Sequence, residues 1–211
     1  MNTKIIRNSL TAFAVIAAGF VTAYASPQTF DFQDPKGVNN VRFSLDAPLE
    51  SITGTGTGIS GSVRFDVDAP AATTGRIVLD VASLTVGNPL MTDHLRGEHW
   101  LDAAAHPQIV FEAASVANVR SQGSQIIADV TGKLTVKGVT REITVPVTFT
   151  HLADKLGARL GDPKLKGDLL VLRANFTINR SDFGIQPGQN TDKVAETIQL
   201  SLSIAGAAPR S

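Results

Sequence analysis

The chain of 211 residues has no cysteine and no net charge, because its 19 basic residues balance 19 acidic ones. Without cysteine it cannot form disulfide bonds, a zinc ribbon or a thiol nucleophile, and it cannot be lipidated at an N-terminal cysteine. Without an excess of positive charge it lacks the basic face that binds nucleic acid, so no nucleic-acid partner is expected. A hydrophobic content of 43% excludes a disordered chain and indicates a globular protein.

Long hydrophobic runs are also scarce, and one at the N-terminus looks membrane-directed. Two cations precede the apolar run Leu10–Val21, and Ala23-Tyr24-Ala25 follows it. A run of 12 residues is too short for a transmembrane helix, which needs about 20, and the flanking residues are typical of a secretory signal peptide. We therefore expect residues 1–25 to be cleaved. Residues 26–211 then form one secreted domain with no stable membrane anchor.

Apolar and polar residues alternate with a period of two through most of the remaining chain. In the first such segment Val41, Phe43 and Leu45 point one way, while Arg42 and Ser44 point the other. The pattern predicts half-buried strands in residues 41–46, 63–68, 77–81, 109–113, 126–136, 142–149, 170–179 and 197–204. Turn signals lie too close together for helical crossovers, so an antiparallel meander is favoured.

A sheet with one apolar face must pack against a second sheet or close on itself. A sandwich would have a solid core, whereas a closed barrel of about eight strands is either filled by side chains or holds one small ligand. Alternation does not distinguish these cases. Pro146 indicates an edge or a bulge in its strand, because proline has no N–H to donate, and Gly132 indicates a bend.

Residues 88–105 interrupt the alternation. Asn88 is a candidate N-cap, Pro89 suits the first helical position and Gly97 suits the helix end, which predicts a short helix followed by a second turn from Glu98 to Ala105. We expect this segment to plug one end of the barrel with five apolar residues: Leu90, Met91, Leu95, Trp100 and Leu101.

The same segment holds three of the four histidines, His94, His99 and His106, beside several carboxylates. Such a cluster could bind zinc, so one hypothesis is a metal-dependent or hydrolytic enzyme centred on these histidines. However, His94 and His99 are five residues apart with Gly97 between them, which turns them roughly 140° away from each other on a helix. Hydrogen-bonded polar residues of a capping segment are the favoured interpretation, with no catalytic or metal-binding residue.

Arg173, Arg180 and Asp182 lie at or just beyond the end of a predicted strand. They could form an ion pair at the barrel rim, or they could hold the anionic head group of a ligand. The sequence leaves both interpretations open.

Four segments resemble the motifs of the YceI family, in the right order along the whole secreted chain. They are residues 92–102 (TDHLRGEHWLD), 106–111 (HPQIVF), 132–140 (GKLTVKGVT) and 180–184 (RSDFG). The resemblance implies an all-β fold, an extended eight-stranded antiparallel lipocalin-like barrel. It also implies a periplasmic protein, often a homodimer, that binds a long isoprenoid or a related amphiphile in an apolar channel. The glycine-rich run 54–61 and the loop 155–166 differ from the usual family pattern.

The resemblance also suggests where the ligand binds. Asp93, His94 and Arg96 correspond to the helical motif near the channel mouth, and Arg180 and Asp182 to the later loop. The residues expected to line the channel lie on the apolar faces of the strands: Phe43, Phe65, Leu79, Val81, Phe111, Phe149, Phe176 and Ile178. The expected ligand is a polyisoprenoid or an isoprenoid quinone, with no other cofactor. If the barrel is solid, the same phenylalanines simply pack its core.

Overall fold

The computed structural model describes residues 26–210, and the expected signal peptide lies outside them. These residues form one antiparallel sheet of eleven strands. The strands are β1 (Gln28–Asp31), β2 (Asn40–Asp46), β3 (Ser51–Gly56), β4 (Ile59–Phe65), β5 (Thr74–Asp80), β6 (Thr85–Val86), β7 (Gln108–Gln122), β8 (Gln125–Val136), β9 (Val139–Leu152), β10 (Lys166–Asn179) and β11 (Thr197–Arg210). Two short α-helices are described, α1 (Pro89–Arg96) and α2 (Leu156–Leu160), and α2 lies within the loop 155–166.

Eight of the strands close into a barrel in the order β1, β4, β5, β7, β8, β9, β10, β11. Closure occurs where β1 returns to β11, with Asp31 opposite Ala207. The other three strands extend this barrel, because β2 pairs with β11, β3 with β2 and β6 with β3. The predicted eight-stranded antiparallel barrel is therefore confirmed.

The two backbone signals of the sequence lie at interruptions of the strand pairing. Pro146 lies on the part of β9 that has no pairing with β10, which begins only at Val147. Its missing N–H therefore removes no hydrogen bond of that ladder. Gly132 lies opposite Ala113, where the register between β7 and β8 shifts. The predicted edge is therefore present at Pro146, and Gly132 lies beside an irregularity of the β7–β8 ladder.

The two ends of the barrel are built differently. At one end, called here the mouth, lie the turn 47–50, the segment 81–107 and the loop 180–196. At the other, the closed end, the interior is filled by tightly packed apolar side chains. Its large side chains that are at most 1% exposed are Phe30, Phe32, Leu170 and Ile204.

A buried carboxylate fastens the strands together at the closed end. Asp168 accepts hydrogen bonds from the Asp154 N–H at 2.9 Å and from the Gln28 side-chain amide at 3.0 Å. Its carboxylate also lies 3.1 Å from the Arg210 guanidinium and 3.3 Å from the His151 ring. Burial acts to raise the pKa of Asp168, but these hydrogen bonds and charges outweigh it and hold the pKa below its ordinary value. The carboxylate is therefore stabilised in its charged form.

Candidate functional site

The barrel encloses an apolar cavity of about 440 Å³ that opens at the mouth. This volume lies within the range of small-molecule binding sites, about 300–1,000 Å³. Six of the residues predicted to line a channel do line it: Phe43, Leu79, Phe111, Phe149, Phe176 and Ile178. The barrel is thus solid at one end and hollow towards the other.

Phe65 and Val81, also predicted to line the channel, lie outside the cavity wall. The Phe65 ring is buried in the main core cluster and stacks on Phe149, with centroids 5.5 Å apart and planes 9° from parallel. Val81 is buried in a second cluster that includes Leu84 and Leu101, at the mouth. Both residues are therefore core residues that do not line the cavity.

A row of three small residues crosses the sheet at the cavity. Gly75 of β5 lies opposite Ala113 of β7, and Ala113 lies opposite Gly132 of β8. Gly75 and Ala113 line the cavity, and the Phe111 ring lies over Gly132, where an added Cβ would come within 2.7 Å of the ring Cζ. These positions add little side-chain volume, so space remains inside the barrel.

Helix α1 covers part of the mouth and begins as predicted. The Asn88 side chain accepts hydrogen bonds from the N–H groups of Leu90 and Met91, and the helix ends before Gly97. Four of the five predicted plug residues line the cavity: Met91, Leu95, Trp100 and Leu101.

One expectation for this segment is wrong. Leu90 does not plug the barrel, because its side chain is 63% exposed. The second turn predicted from Glu98 to Ala105 is present as turns on both sides of Asp102, whose backbone has a φ of 49°. That left-handed conformation is incompatible with continuing a right-handed helix.

The motif residues of α1 differ in their positions. His94 is exposed and lines the cavity at the mouth. Asp93 is exposed and does not line it. The Arg96 Nε donates to the Leu84 carbonyl oxygen at 2.9 Å, which ties α1 to the segment before it. The structure therefore places only His94 of the three at the cavity.

Arg180 is the central residue of the loop 180–196. It is 1% exposed, lines the cavity, and its guanidinium carbon lies 6.0 Å from the centroid of the Trp100 ring. Its guanidinium N–H groups donate to five backbone carbonyl oxygens of this loop: Ile185, Gln186, Gln189, Val194 and Ala195. The guanidinium thus organises the loop.

The ion pair of Arg180 is made with Glu196, at 3.7 Å, and not with Asp182. Glu196 also accepts from the Ser181 N–H at 2.8 Å. Hydrogen bonding from Ser181, assisted by the positive charge of Arg180, lowers the pKa of Glu196 although burial opposes it. Asp182 has an exposed side chain outside the cavity wall, and its carbonyl oxygen accepts from Arg141 Nε at 2.9 Å.

The polar part of the cavity wall is concentrated at the mouth. Its exposed members are Glu50, His94, Asn190 and Lys193, from three different segments. Deeper in the wall the Thr73 hydroxyl donates to the Pro70 carbonyl oxygen at 2.6 Å, so its donor is already used. A ligand would therefore meet apolar walls inside and polar groups at the opening.

The three histidines of the segment take separate positions. His94 lies at the mouth, the backbone carbonyl of His99 accepts from the Gln186 side-chain amide at 3.3 Å, and the His106 ring lies against Gly138. Within residues 26–210, no group of three or more His, Cys, Asp or Glu side chains is placed to hold a metal ion.

A closed antiparallel barrel with an apolar cavity open at one end defines the class of this protein. The sequence profile of the YceI-like domain matches residues 33–205. The chain therefore belongs to the YceI-like family, and the resemblance seen in its motifs is confirmed.

The relatives support the same assignment. A UPF0312 protein of Pseudomonas savastanoi pv. phaseolicola is 31% identical over 156 residues, which cover 74% of this chain and 73% of the relative. A UPF0312 protein of Ectopseudomonas mendocina is 26% identical over 203 residues, which cover 95% and 98%. The matches span most of both proteins.

Solved structures have the same fold. BcnA of Burkholderia cenocepacia superposes with a TM-score of 0.65 at 26% identity, covering 79% of this chain and 95% of BcnA. A polyisoprenoid binding domain from Saccharophagus degradans superposes with a TM-score of 0.62 at 12% identity, covering 87% of this chain and all of that domain. At 12% identity the likeness shows the fold alone. In the described part of the chain, no helix is long and apolar enough to span a membrane.

Sequence reasoning missed the contribution of the loop 180–196 to the cavity. Besides Arg180, the loop supplies four lining residues: Ile185, Asn190, Lys193 and Val194. These residues follow neither a helical nor a strand period, so alternation could not identify them. The available signal was the RSDFG motif, whose arginine holds the loop in place.

Proposed function

We propose that the protein binds an amphiphilic lipid, a polyisoprenoid or a molecule with a similar chain, and sequesters or carries it. The observation that carries this proposal is the apolar cavity with its polar groups gathered at the opening. Each methylene group moved from water into such a cavity contributes about 0.8 kcal/mol, so a long chain binds without an extensive polar site. The polyisoprenoid binding domain from Saccharophagus degradans, which has the same fold, supports this ligand class.

The charges at the mouth favour a ligand with a neutral head group. The segments around the opening carry five exposed acids and one exposed lysine: Glu50, Asp93, Glu98, Asp182, Asp192 and Lys193. The donors of Arg180 are already directed at loop carbonyls, so this buried cation is not a clamp for an anion. A phosphate or diphosphate head would meet net repulsion here, whereas a quinone or an alcohol would not.

In this proposal the protein acts in the periplasm after loss of residues 1–25, and it acts as a binding protein and not as an enzyme. The homodimer implied by the resemblance stays a prediction. The location can be checked by cell fractionation together with N-terminal sequencing of the mature protein. A mature chain that begins at Ser26 is the expected result.

The binding proposal is tested with a matched pair of variants on one strand. Ala113→Phe places a ring inside the cavity, between Gly75 and Gly132, whereas Ala114→Phe places the same ring on an exposed position. Purified protein is offered a prenyl quinone, a polyprenol and a polyprenyl phosphate. Binding is read by native mass spectrometry and by the fluorescence of Trp100, the single tryptophan of the chain, which lines the cavity.

We expect the wild type and Ala114→Phe to bind the quinone and the alcohol more tightly than the phosphate. Ala113→Phe should bind each ligand at least tenfold more weakly while unfolding in one cooperative transition. Equal binding by both variants would show that the ligand lies outside the cavity. Absence of binding by the wild type would refute the proposed function.

A further inference from the structure

Among the described residues, the two most exposed large apolar side chains both lie at the mouth. Leu49 is 68% exposed on the turn between β2 and β3, and Leu90 is 63% exposed at the start of α1. Single exposed leucines are common on protein surfaces and carry no meaning alone. These two differ because each is followed directly by a residue of the cavity wall, Glu50 and Met91.

The backbone holds both leucines in these exposed positions. The Leu49 N–H donates to the Asp192 carbonyl oxygen at 2.9 Å, and the Leu90 N–H donates to the Asn88 side chain at 2.9 Å. Each leucine also follows a proline, and the ring of that proline fixes its own φ angle and so restricts the backbone just before the leucine. The outward direction is therefore a property of the folded mouth and not of a loose loop.

The net charge of the mouth indicates which kind of surface it can contact. Five exposed acids and one exposed lysine give it a net negative charge, which opposes contact with anionic lipids or with an acidic protein face. A zwitterionic bilayer carries no such opposing charge, and its acyl boundary accepts apolar side chains. The apolar cavity opens beside these leucines, so a docked mouth would join the cavity to the bilayer interior.

We propose that the mouth docks on the surface of a zwitterionic lipid bilayer, with Leu49 and Leu90 entering the acyl boundary. This inference rests on the proposed function, because docking lets an amphiphile pass between bilayer and cavity without exposing its chain to water. Ligand transfer then takes place during contact with the membrane and not by diffusion of free ligand.

The test uses the full mature chain and protein-free phosphatidylcholine vesicles. Cosedimentation compares the wild type with Leu49→Ser, Leu90→Ser and the double variant. The matched controls are Val67→Ser and Leu165→Ser, two exposed apolar residues at the closed end. We expect each mouth substitution to weaken vesicle partitioning about tenfold, the double variant to lose it, and the controls to keep it. Adding phosphatidylglycerol should weaken partitioning of the wild type.

A second measurement follows transfer of a bound prenyl quinone to acceptor vesicles. The wild-type rate should rise with vesicle concentration, and the rate of the double variant should not. Affinity for the quinone, read from Trp100 fluorescence, should be the same in both proteins. If no protein binds the quinone, the proposed function fails, while cosedimentation still decides whether the mouth docks.

Three results would overturn the docking proposal. The first is equal partitioning by the wild type and the double variant, and the second is an equal loss in the closed-end controls. The third is binding to native membranes but not to protein-free vesicles, which would assign the mouth to a protein receptor.

Discussion

Replacing Arg180 by methionine should unfold the loop at the mouth and destabilise the whole protein. The guanidinium is 1% exposed and donates to five loop carbonyl oxygens, and methionine can replace its hydrophobic stem but none of its donors. Each buried acceptor left without its donor typically costs about 1–3 kcal/mol. Domains unfold with only about 5–15 kcal/mol, so the substitution should remove a large part of the stability.

The assay is equilibrium unfolding in urea, followed by Trp100 fluorescence and by far-ultraviolet circular dichroism. Arg173→Met is the matched control, because Arg173 is exposed on the outer face of the preceding strand. We expect the control to change the free energy of unfolding by less than about 0.5 kcal/mol. A cost below about 1 kcal/mol for Arg180→Met would refute the assignment of this arginine to the loop.

Arg180→Lys separates this role from that of an anion clamp. Lysine keeps the positive charge but has three donors on one nitrogen, so it cannot reach five carbonyl groups in the fixed fork geometry of arginine. If Arg180 organises the loop, Arg180→Lys should have neither the stability nor the ligand affinity of the wild type. If lysine restored tight binding of an anionic amphiphile, the clamp interpretation from the sequence would be the correct one.

Two further substitutions test the packing and the electrostatics. Gly54→Ala should destabilise the protein by about 1–3 kcal/mol, because the added Cβ would collide with the Phe43 ring on the cavity wall. Thermal unfolding measures this change. The control is Gly87→Ala, where an added Cβ meets no atom, and it should unfold like the wild type. Asp168→Asn should make the free energy of unfolding depend less steeply on pH in acid. The pKa of Asp168 is lowered in the fold, so its carboxylate stabilises the protein above its unfolded pKa of about 3.9, and that contribution disappears as the pH falls through the folded pKa. Unfolding midpoints between about pH 5 and pH 2 measure this slope, and an unchanged slope in the variant would contradict the role given to the carboxylate.

The barrel was predictable because its signals are local. Alternation identified parts of eight strands, Pro146 marked an edge of the pairing, and Gly132 marked a position beside a register shift. Strands β1, β3 and β6 escaped prediction. They are short, and β3 contains two glycines instead of an alternating apolar set. Their position is set by pairing with distant strands, which a local pattern does not show.

The site was less predictable, because it depends on contacts between residues far apart in the chain. Alternation showed that Phe65 and Phe149 face inward, but not that the two rings stack or that only Phe149 lines the cavity. The reach of Arg180 to a carbonyl fifteen residues away, at Ala195, also has no periodic signature. Motif resemblance supplied part of this missing information, since it marked Arg180 without its partners.

The cavity in the barrel has a physical origin that the amino-acid composition does not show. Alternation fixes the direction of each side chain, whereas the presence of a cavity depends on the volumes that meet across neighbouring strands. Gly75, Ala113 and Gly132 are far apart in sequence, yet the register places them side by side. Of these three residues only Ala113 can be replaced by a larger one that fills the cavity, because a Cβ at either glycine would meet backbone atoms. Solid and hollow barrels therefore share one sequence pattern, and the strand register decides between them.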